Sequence, residues 1–324
     1  MSGMAQRILE RGQIETLASR SIPRVRLPDR TRVFTERATR LRALAQGGAL
    51  DGYLQFLAAV AGAQQQVMAH FQPRLASPEQ IARAAEFGMP PFPATSWPRD
   101  AQWLASLRAL AAEVAANTAL PRGVADIGKQ IIATPEEQLD ARANALLAAQ
   151  HDAIDVATAP IIMAALQVYW VALGAAFENP EHVRLLDVPG VCPLCGSLPV
   201  ASIVCANPPY QGHRYLHCAL CETQWHMVRA QCSSCGADGK HVAYHSLLAH
   251  DAIENAAAVK DVAVRAETCD ECNSYRKIVY QENDIAVDPV VDDVATLALD
   301  VLLSEKGFHR ASGNPLLWQA APQG

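Results

Sequence analysis

The stretches 192-CPLCG-196, 218-CALCE-222, 232-CSSCG-236 and 269-CDECN-273 contain eight of the nine cysteines in this 324-residue chain. A CxxC turn directs two sulfur atoms toward one point. Two such turns together form a tetrahedral cage of four sulfurs, of the kind that binds Zn²⁺ or a single iron ion. The sequence therefore predicts two metal cages. The predicted ligands are Cys192, Cys195, Cys218, Cys221, Cys232, Cys235, Cys269 and Cys272.

The gaps between these pairs predict which of them share a cage. The first and second pairs are 22 residues apart and the third and fourth 33, whereas only ten residues separate the second from the third. A β-hairpin that returns the second turn to the first needs one of the longer gaps. We therefore expect the first pair to join the second and the third to join the fourth. A cross-braced arrangement, first with third and second with fourth, is the alternative.

Short runs typical of β-strands lie beside the four turns. They cover residues 198–204, 212–216, 223–229, 241–246, 262–267 and 275–280. Gly196 and Gly236 follow the second cysteine of their turns, where a positive φ lets backbone N–H groups point toward the sulfurs. Because such a ribbon has little apolar core, metal binding supplies its folding free energy. We expect Cys192→Ser or Cys269→Ser to loosen one ribbon and leave the helical half folded.

Residues 1 to about 185 contain no cysteine and follow the 3.6-residue period of helices. Capping-box patterns begin at Ser77 and Thr134, and Trp103 belongs to an apolar stripe expected in the core. The stretch from Ala159 to Phe177 carries no charge and is near the shortest length for a bilayer span. Acidic residues flank it and no basic residue anchors it, so a helix buried in a bundle is the favoured interpretation.

These patterns predict an α+β protein. An N-terminal all-α helical domain covers residues 1–186, a first CxxC/CxxC module covers 187–230 and a second covers 231–285. A C-terminal helix near 290–305 and a tail complete the segment 286–324.

Composition and motifs restrict the function. The net charge of −6 argues against a nonspecific nucleic-acid binder, although Arg214, Arg229 and Lys240 keep a nucleic-acid-binding ribbon as an alternative. The first half has no nucleophile–base pattern, glycine-rich phosphate loop or HExxH motif, and a closed four-sulfur site has no open coordination position. We therefore expect no enzyme. Iron in such a cage can carry one electron, so a rubredoxin-like electron carrier is a second alternative.

The remaining polar and aromatic residues near the turns receive structural roles. Cys205 is expected to be a small half-buried apolar residue. His217 and His226 are not needed as ligands. Tyr215, Trp225 and Tyr275 are expected to pack beside the turns. The opening residues MSGMAQRILERGQIETL lack an apolar segment of the secretory type. We therefore expect a cytoplasmic protein, where paired cysteines favour metal over disulfides.

Five segments resemble the formate dehydrogenase accessory protein FdhE family. They are CPLCGSLPVASIV (192–204), RYLHCALCETQWHMVRAQCSSCG (214–236), ETCDECNSYRKIVY (267–280), the opening helices at 22–65 and DDVATLALDVLLSEKGFHRASGNPLLW (292–318). The resemblance covers nearly the whole chain. It implies a helical domain followed by two rubredoxin-like modules, with iron held by the eight CxxC cysteines. Zinc is the alternative metal.

The same resemblance implies a function and a partner. The family is a cytoplasmic accessory factor needed for active respiratory formate dehydrogenase. It associates with the catalytic subunit of that enzyme before export through the twin-arginine route. The resemblance does not decide whether the metal sites are redox centres or scaffolds. From the net charge and the acidic flanks of the apolar helix, we expect no nucleic-acid partner and no stable insertion into a membrane.

Overall fold

The computed structural model describes residues 22–150, 153–177, 180–188, 190–247 and 262–317. These ranges exclude the opening residues, for which we expect no secretory signal, and the tail 318–324. Within the described residues a helical region precedes a mixed sheet, which confirms the α+β class.

The helical region surrounds one apolar helix. Its helices are α1 (Val33–Leu44), α2 (Asp51–His70), α3 (Pro78–Glu86), α4 (Gln102–Ala116), α5 (Arg122–Ala133), α6 (Glu136–Leu147) and α7 (Ala159–Ala175). Every residue of α7 up to Gly174 is buried, and the Trp103 stripe of α4 belongs to the same core. Among the described helices none has the length and apolarity needed to cross a bilayer.

The two predicted capping boxes have different outcomes. At Ser77 the box forms as predicted, because the Ser77 hydroxyl accepts from the N–H of Gln80 and the Gln80 side chain accepts from the N–H of Ser77. At Thr134 the prediction is wrong. The Thr134 hydroxyl donates to the carbonyl of Gln130 at 2.7 Å, at the end of α5, and no side chain caps α6. A threonine between two helices can hydrogen-bond to the end of the first or cap the start of the second, and Thr134 bonds to the end of the first.

One sheet runs through both cysteine modules. Its strands are β1 (Val25–Arg26), β2 (Ala201–Val204), β3 (Arg214–His217), β4 (Gln224–Met227), β5 (Val242–His245), β6 (Val264–Cys269), β7 (Ser274–Tyr280) and β8 (His309–Arg310). The order is β1-β4-β3-β2-β7-β6-β5, and β8 pairs with the start of β7. The six central strands fall within or next to the six predicted runs.

The second module repeats the topology of the first. In each, a CxxC turn precedes the first strand and a second CxxC turn connects the next two strands, which are antiparallel neighbours. The two units join head to tail where β2 pairs in parallel with β7, with Ala201 opposite Lys277 and Val204 opposite Tyr280. This pairing merges two three-stranded ribbons into one sheet.

The predicted C-terminal helix forms as two shorter helices. They are α8 (Pro289–Ala295) and α9 (Leu297–Glu305), and the helical conformation is interrupted between them at Thr296. The ammonium of Lys277 on β7 donates to the carbonyls of Asp293 (2.7 Å) and Thr296 (3.1 Å), and it pairs with the carboxylate of Asp300 at 2.5 Å. The buried lysine therefore binds carbonyl groups that a continuous helix would use internally.

Candidate metal centres

The eight cysteines of the four turns form two groups. The sulfurs of Cys192, Cys195, Cys218 and Cys221 all lie within 4.8 Å of one another, and so do those of Cys232, Cys235, Cys269 and Cys272. We call these the first centre and the second centre. The grouping confirms that consecutive pairs share a cage, and the cross-braced alternative is wrong.

The spacing of the sulfurs suits a tetrahedral metal ion. A metal–sulfur bond of about 2.3 Å gives a tetrahedron with edges of about 3.8 Å. In the first centre the Cys192–Cys221 and Cys195–Cys218 sulfur distances are 3.5 and 3.4 Å. In the second centre the Cys232–Cys272 and Cys235–Cys269 distances are 3.9 and 3.8 Å. Each centre can therefore hold one thiophilic ion, and four thiolates fit zinc and iron alike.

All four turns share one backbone conformation. The residue after the second cysteine has a positive φ in each: 76° at Gly196, 59° at Glu222, 78° at Gly236 and 52° at Asn273. In the first three turns its N–H donates to the carbonyl of the first cysteine at 2.9, 2.9 and 3.1 Å. The sequence pointed to this conformation only at the two glycines. Glu222 and Asn273 also follow the second cysteine of a CxxC turn, and this shared position could have predicted their positive φ.

The first centre lies inside the helical core. Its four cysteines are at most 1% exposed and belong to the same apolar cluster as α7. Gly174 of α7 permits this contact, since a Cβ there would lie 2.9 Å from Leu194, within the first CxxC turn. Backbone bonds from Phe92 and Ala94 to the carbonyls of Leu194 and Cys195, at 3.0 and 2.8 Å, attach the same turn.

Two buried glutamines connect the helices to the second turn. The Gln167 amide donates to the carbonyl of Ala219 at 2.6 Å and accepts from the Gln64 amide at 3.0 Å. Gln64 also donates to the carbonyl of Ala164 at 2.9 Å. This explains why a polar side chain occurs within the otherwise apolar α7. The first centre and the helices therefore share one core.

A buried ion pair also holds the second turn. Glu222 accepts two hydrogen bonds from Arg37 of α1, at 3.0 and 2.7 Å, and lies 2.9 Å from His217. Burial alone would raise the pKa of Glu222, but Arg37 and His217 outweigh it and lower the pKa to about 2. Arg37 also contacts Asp288 at 3.2 Å. The carboxylate is thus charged and paired, directly beside the candidate ligand Cys221.

The second centre lies at the surface. Cys232 and Cys269 are buried, but Cys272 is partly exposed and Cys235 is exposed. The N–H of Ser234 donates to the sulfur of Cys232 at 3.4 Å. Burial would raise the pKa of Cys272, but the hydroxyl and backbone N–H of Ser274 outweigh it and lower the pKa. One edge of this cage is therefore open to solvent, unlike any edge of the first.

The ninth cysteine stands apart from both cages. Cys205 is 4% exposed, so it is more buried than predicted, and Arg26 donates to its sulfur at 3.0 Å. Burial raises its pKa. Tyr215 packs with Cys205, whereas Trp225 joins the core around the first centre as predicted. Tyr275 instead packs against α9 and donates to Asp300 at 2.7 Å.

Neither histidine beside the turns belongs to a cage. His217 binds Glu222 on one ring nitrogen and Gln224 on the other, at 2.9 and 3.0 Å. His226 stacks edge-on against Tyr215 and His213. These contacts agree with the expectation that the four cysteines of each centre leave no ligand position for histidine.

Known families and structures match the chain over nearly its whole length. The family models for FdhE match as "FdhE, N-terminal" over residues 22–187, "FdhE, central domain" over 191–229 and "FdhE, C-terminal domain" over 230–317. A "Protein FdhE homolog" of Cronobacter sakazakii is 36% identical over 318 residues, which cover 97% of this chain and 98% of that protein. Another "Protein FdhE homolog", from Edwardsiella ictaluri, is 38% identical over 90% of each chain.

A solved structure agrees with these sequence matches. The crystal structure of the FdhE protein from Pseudomonas aeruginosa superposes with a TM-score of 0.80 and 36% sequence identity. The match covers 93% of this chain and 100% of that one. Sequence and fold together show that the chain belongs to the FdhE family of formate dehydrogenase accessory proteins.

Proposed function

We propose that this protein is a non-catalytic assembly factor that binds the catalytic subunit of a respiratory formate dehydrogenase in the cytoplasm, before that subunit is exported. Family membership over nearly the whole chain supports this choice of client protein. The observation that carries the proposal is the pair of complete four-cysteine cages. A closed cage of four cysteines leaves no position for substrate. The protein inserts into no membrane and binds no nucleic acid in this proposal.

In the same proposal each centre holds one metal ion through its four cysteine sulfurs, and the metal is iron. Zinc is the alternative, since both ions accept four thiolates in a tetrahedron. When bound, the ion would crosslink two turns of one ribbon and so contribute folding free energy. The chain's own residues supply the thiolates, the N–H···S bond at Cys232 and the buried charges around them.

Anaerobic purification of the tagged protein from its native cells tests the client. We expect the formate dehydrogenase catalytic subunit to copurify, and to be lost from a Cys192→Ser/Cys269→Ser double variant. Cys205→Ser is the matched control, because it removes a buried thiol outside both cages. Absence of the subunit from the unaltered protein, or normal formate dehydrogenase activity in a strain lacking the protein, would refute the proposed role.

An electron carrier is the second candidate function, and the exposed Cys235 favours it. Electron exchange with a partner requires that a redox centre approach the surface, and Cys235 brings the second centre there. This candidate requires iron with a reversible colour change on reduction and reoxidation. A colourless protein that contains zinc after anaerobic purification would eliminate it.

The structure weakens the basis for nucleic-acid binding. Arg214, one of three basic residues that supported this alternative, is fully buried and paired with Glu267 at 2.9 Å. Lys240 is exposed but pairs with Asp238 at 3.3 Å. Arg229, the third, is exposed and donates to the carbonyl of Gly212 at 3.3 Å. Of the three, it alone offers phosphate an exposed charge that no described carboxylate pairs. Salt-dependent binding to nucleic acid in solution would restore this function.

A further inference from the structure

Arg276 of β7 is a buried cation with uncharged hydrogen-bond acceptors. It is 5% exposed, and its guanidinium donates to the hydroxyl of Ser233 at 2.9 Å and that of Ser312 at 2.6 Å. It also donates to the carbonyl of Pro199. In the described residues no carboxylate lies within 4.0 Å of its nitrogens. A buried charge without a counter-charge costs several kcal/mol, so its presence requires an explanation.

Among the described residues, three other cations that are at most 1% exposed have carboxylate partners. Arg37 pairs with Glu222 at 2.7 Å, Arg214 with Glu267 at 2.9 Å, and Lys277 with Asp300 at 2.5 Å. Lys277 follows Arg276 on β7, so its side chain points to the opposite face of the sheet. On the face of Arg276 the carboxylate of Glu267, directly opposite on β6, is instead paired with Arg214.

The contact with Ser233 places Arg276 against the second centre. Ser233 is the buried residue between Cys232 and Cys235, and its hydroxyl accepts directly from the guanidinium. Burial and Arg214 lower the pKa of Arg276 to about 10, whereas Glu267 and Cys232 act in the opposite direction. Glu267 is already neutralised by Arg214. The remaining negative charge on this side of Arg276 is that of the cysteine cage.

The two centres differ in this respect. Four thiolates around a divalent ion carry a net charge of −2. Beside the first centre, Arg37 is bound in bidentate fashion by Glu222, so that ion pair adds no net charge. Beside the second centre, Arg276 adds one uncompensated positive charge in a buried position, where charges interact more strongly than in water.

We propose that Arg276 is the built-in counter-charge of the second metal centre and increases metal retention there, with no equivalent at the first. This inference rests on the metal binding in the proposed function. If the second centre held iron, four thiolates would give it a net charge of −1 with Fe³⁺ and −2 with Fe²⁺. A neighbouring cation stabilises the reduced form more, so Arg276 raises the reduction potential of the second centre.

Competition with a chelator tests the effect on metal binding. Full-length protein loaded with Co²⁺ is titrated with EDTA, and the sulfur-to-cobalt charge-transfer band reports the ion that remains. Cys192→Ser and Cys269→Ser variants assign the signals to the two centres. We expect Arg276→Met to weaken Co²⁺ binding at the second centre at least tenfold and to leave the first unchanged. Arg276→Lys, which keeps the charge, should stay within threefold of the unaltered protein.

Lys277→Met is the matched control. It removes one buried positive charge from the adjacent position of β7, on the face where carboxylates pair with it. We expect Co²⁺ binding at the second centre to remain within threefold. Equal losses at the second centre in Lys277→Met and Arg276→Met, or equal losses at both centres in Arg276→Met, would show a general loss of structure and overturn the inference.

The remaining outcomes distinguish a failure of the role of Arg276 from a failure of the proposed metal binding. If the unaltered protein binds no Co²⁺ in either cage, the proposed metal binding fails. If it binds two ions and Arg276→Met matches it, only the role of Arg276 fails. Should Arg276→Met not fold, Arg276→Lys decides, since a tenfold loss despite the retained charge overturns the inference.

The reduction potential provides an independent readout in iron-loaded protein. In a mediated redox titration, Arg276→Met should make the reduction of the second centre at least tenfold less favourable, which corresponds to about 59 mV for one electron. A second-centre potential equal to that of the unaltered protein would refute the electrostatic role. The first centre, observed in the same titration, is the internal reference.

Discussion

Replacing Glu222 by glycine sets backbone strain against a buried ion pair. Glu222 has a φ of 59°, a conformation that costs a non-glycine residue about 1–2 kcal/mol. Glu222→Gly relieves that strain but removes the carboxylate that pairs with Arg37. Both side chains of this pair are at most 3% exposed. Breaking a buried ion pair on one side costs about 3–5 kcal/mol. We therefore expect Glu222→Gly to lower the free energy of unfolding by about 1–4 kcal/mol.

Asn273→Gly is the matched control for this substitution. Asn273 follows the second cysteine of the fourth turn with a φ of 52°, but its side chain is exposed. Asparagine tolerates this conformation better than most residues, and glycine adds entropy to the unfolded chain. The two effects oppose each other, so we expect a change of no more than about 1 kcal/mol in either direction.

Urea denaturation of the zinc-loaded proteins, followed by far-ultraviolet circular dichroism, measures both variants. The signal reports the helices, to which Arg37 connects the second turn through α1. A Glu222→Gly midpoint equal to that of the unaltered protein would refute the assigned role of the ion pair. Equal destabilisation by Asn273→Gly would show that the turn backbone, and not the pair, determines the effect.

Three further predictions concern the two centres. EDTA should remove zinc in two phases, and the faster phase should come from the solvent-exposed second centre. Because Cys269→Ser disrupts that centre, a fast phase that persists in this variant would contradict the prediction. Cys192→Ser should lower the urea midpoint of the helices whereas Cys269→Ser should not, because only the first centre lies in their core; equal midpoints in circular dichroism would argue against that packing. Gly174→Ala should displace Leu194 and destabilise the protein by about 1–3 kcal/mol, and an unchanged thermal midpoint would refute the close contact.

The local features of this fold were predictable from the sequence because short-range rules determine them. The four CxxC turns, the strands beside them and the buried helix α7 all follow from spacing and periodicity. The pairing of cages also followed, since a hairpin needs a minimum length of chain. The Ser77 capping box likewise depends on residues three positions apart.

The features that were not predicted depend on long-range contacts. Arg37 and Glu222 are 185 residues apart, and no sequence motif links the two positions. The parallel pairing of β2 with β7 joins strands from different modules, and hydrophobic pattern alone does not specify such a neighbour. At the break at Thr296, the ammonium of Lys277 from β7 binds the carbonyls of Asp293 and Thr296. For the same reason, the different surroundings of the two cages could not be read from four similar turns.

The parallel junction between β2 and β7 limits how the chain can be divided. A fragment that ends near residue 230 would retain both turns of the first centre, but it would lose the strand that covers β2 along Ala201–Val204. All four residues of β2 are buried in the intact protein, and an uncovered apolar strand edge is a template for aggregation. Arg37 would also lose its contact with Asp288. Chimeras between relatives should therefore exchange both cysteine modules as one piece, even though family models match them as separate segments.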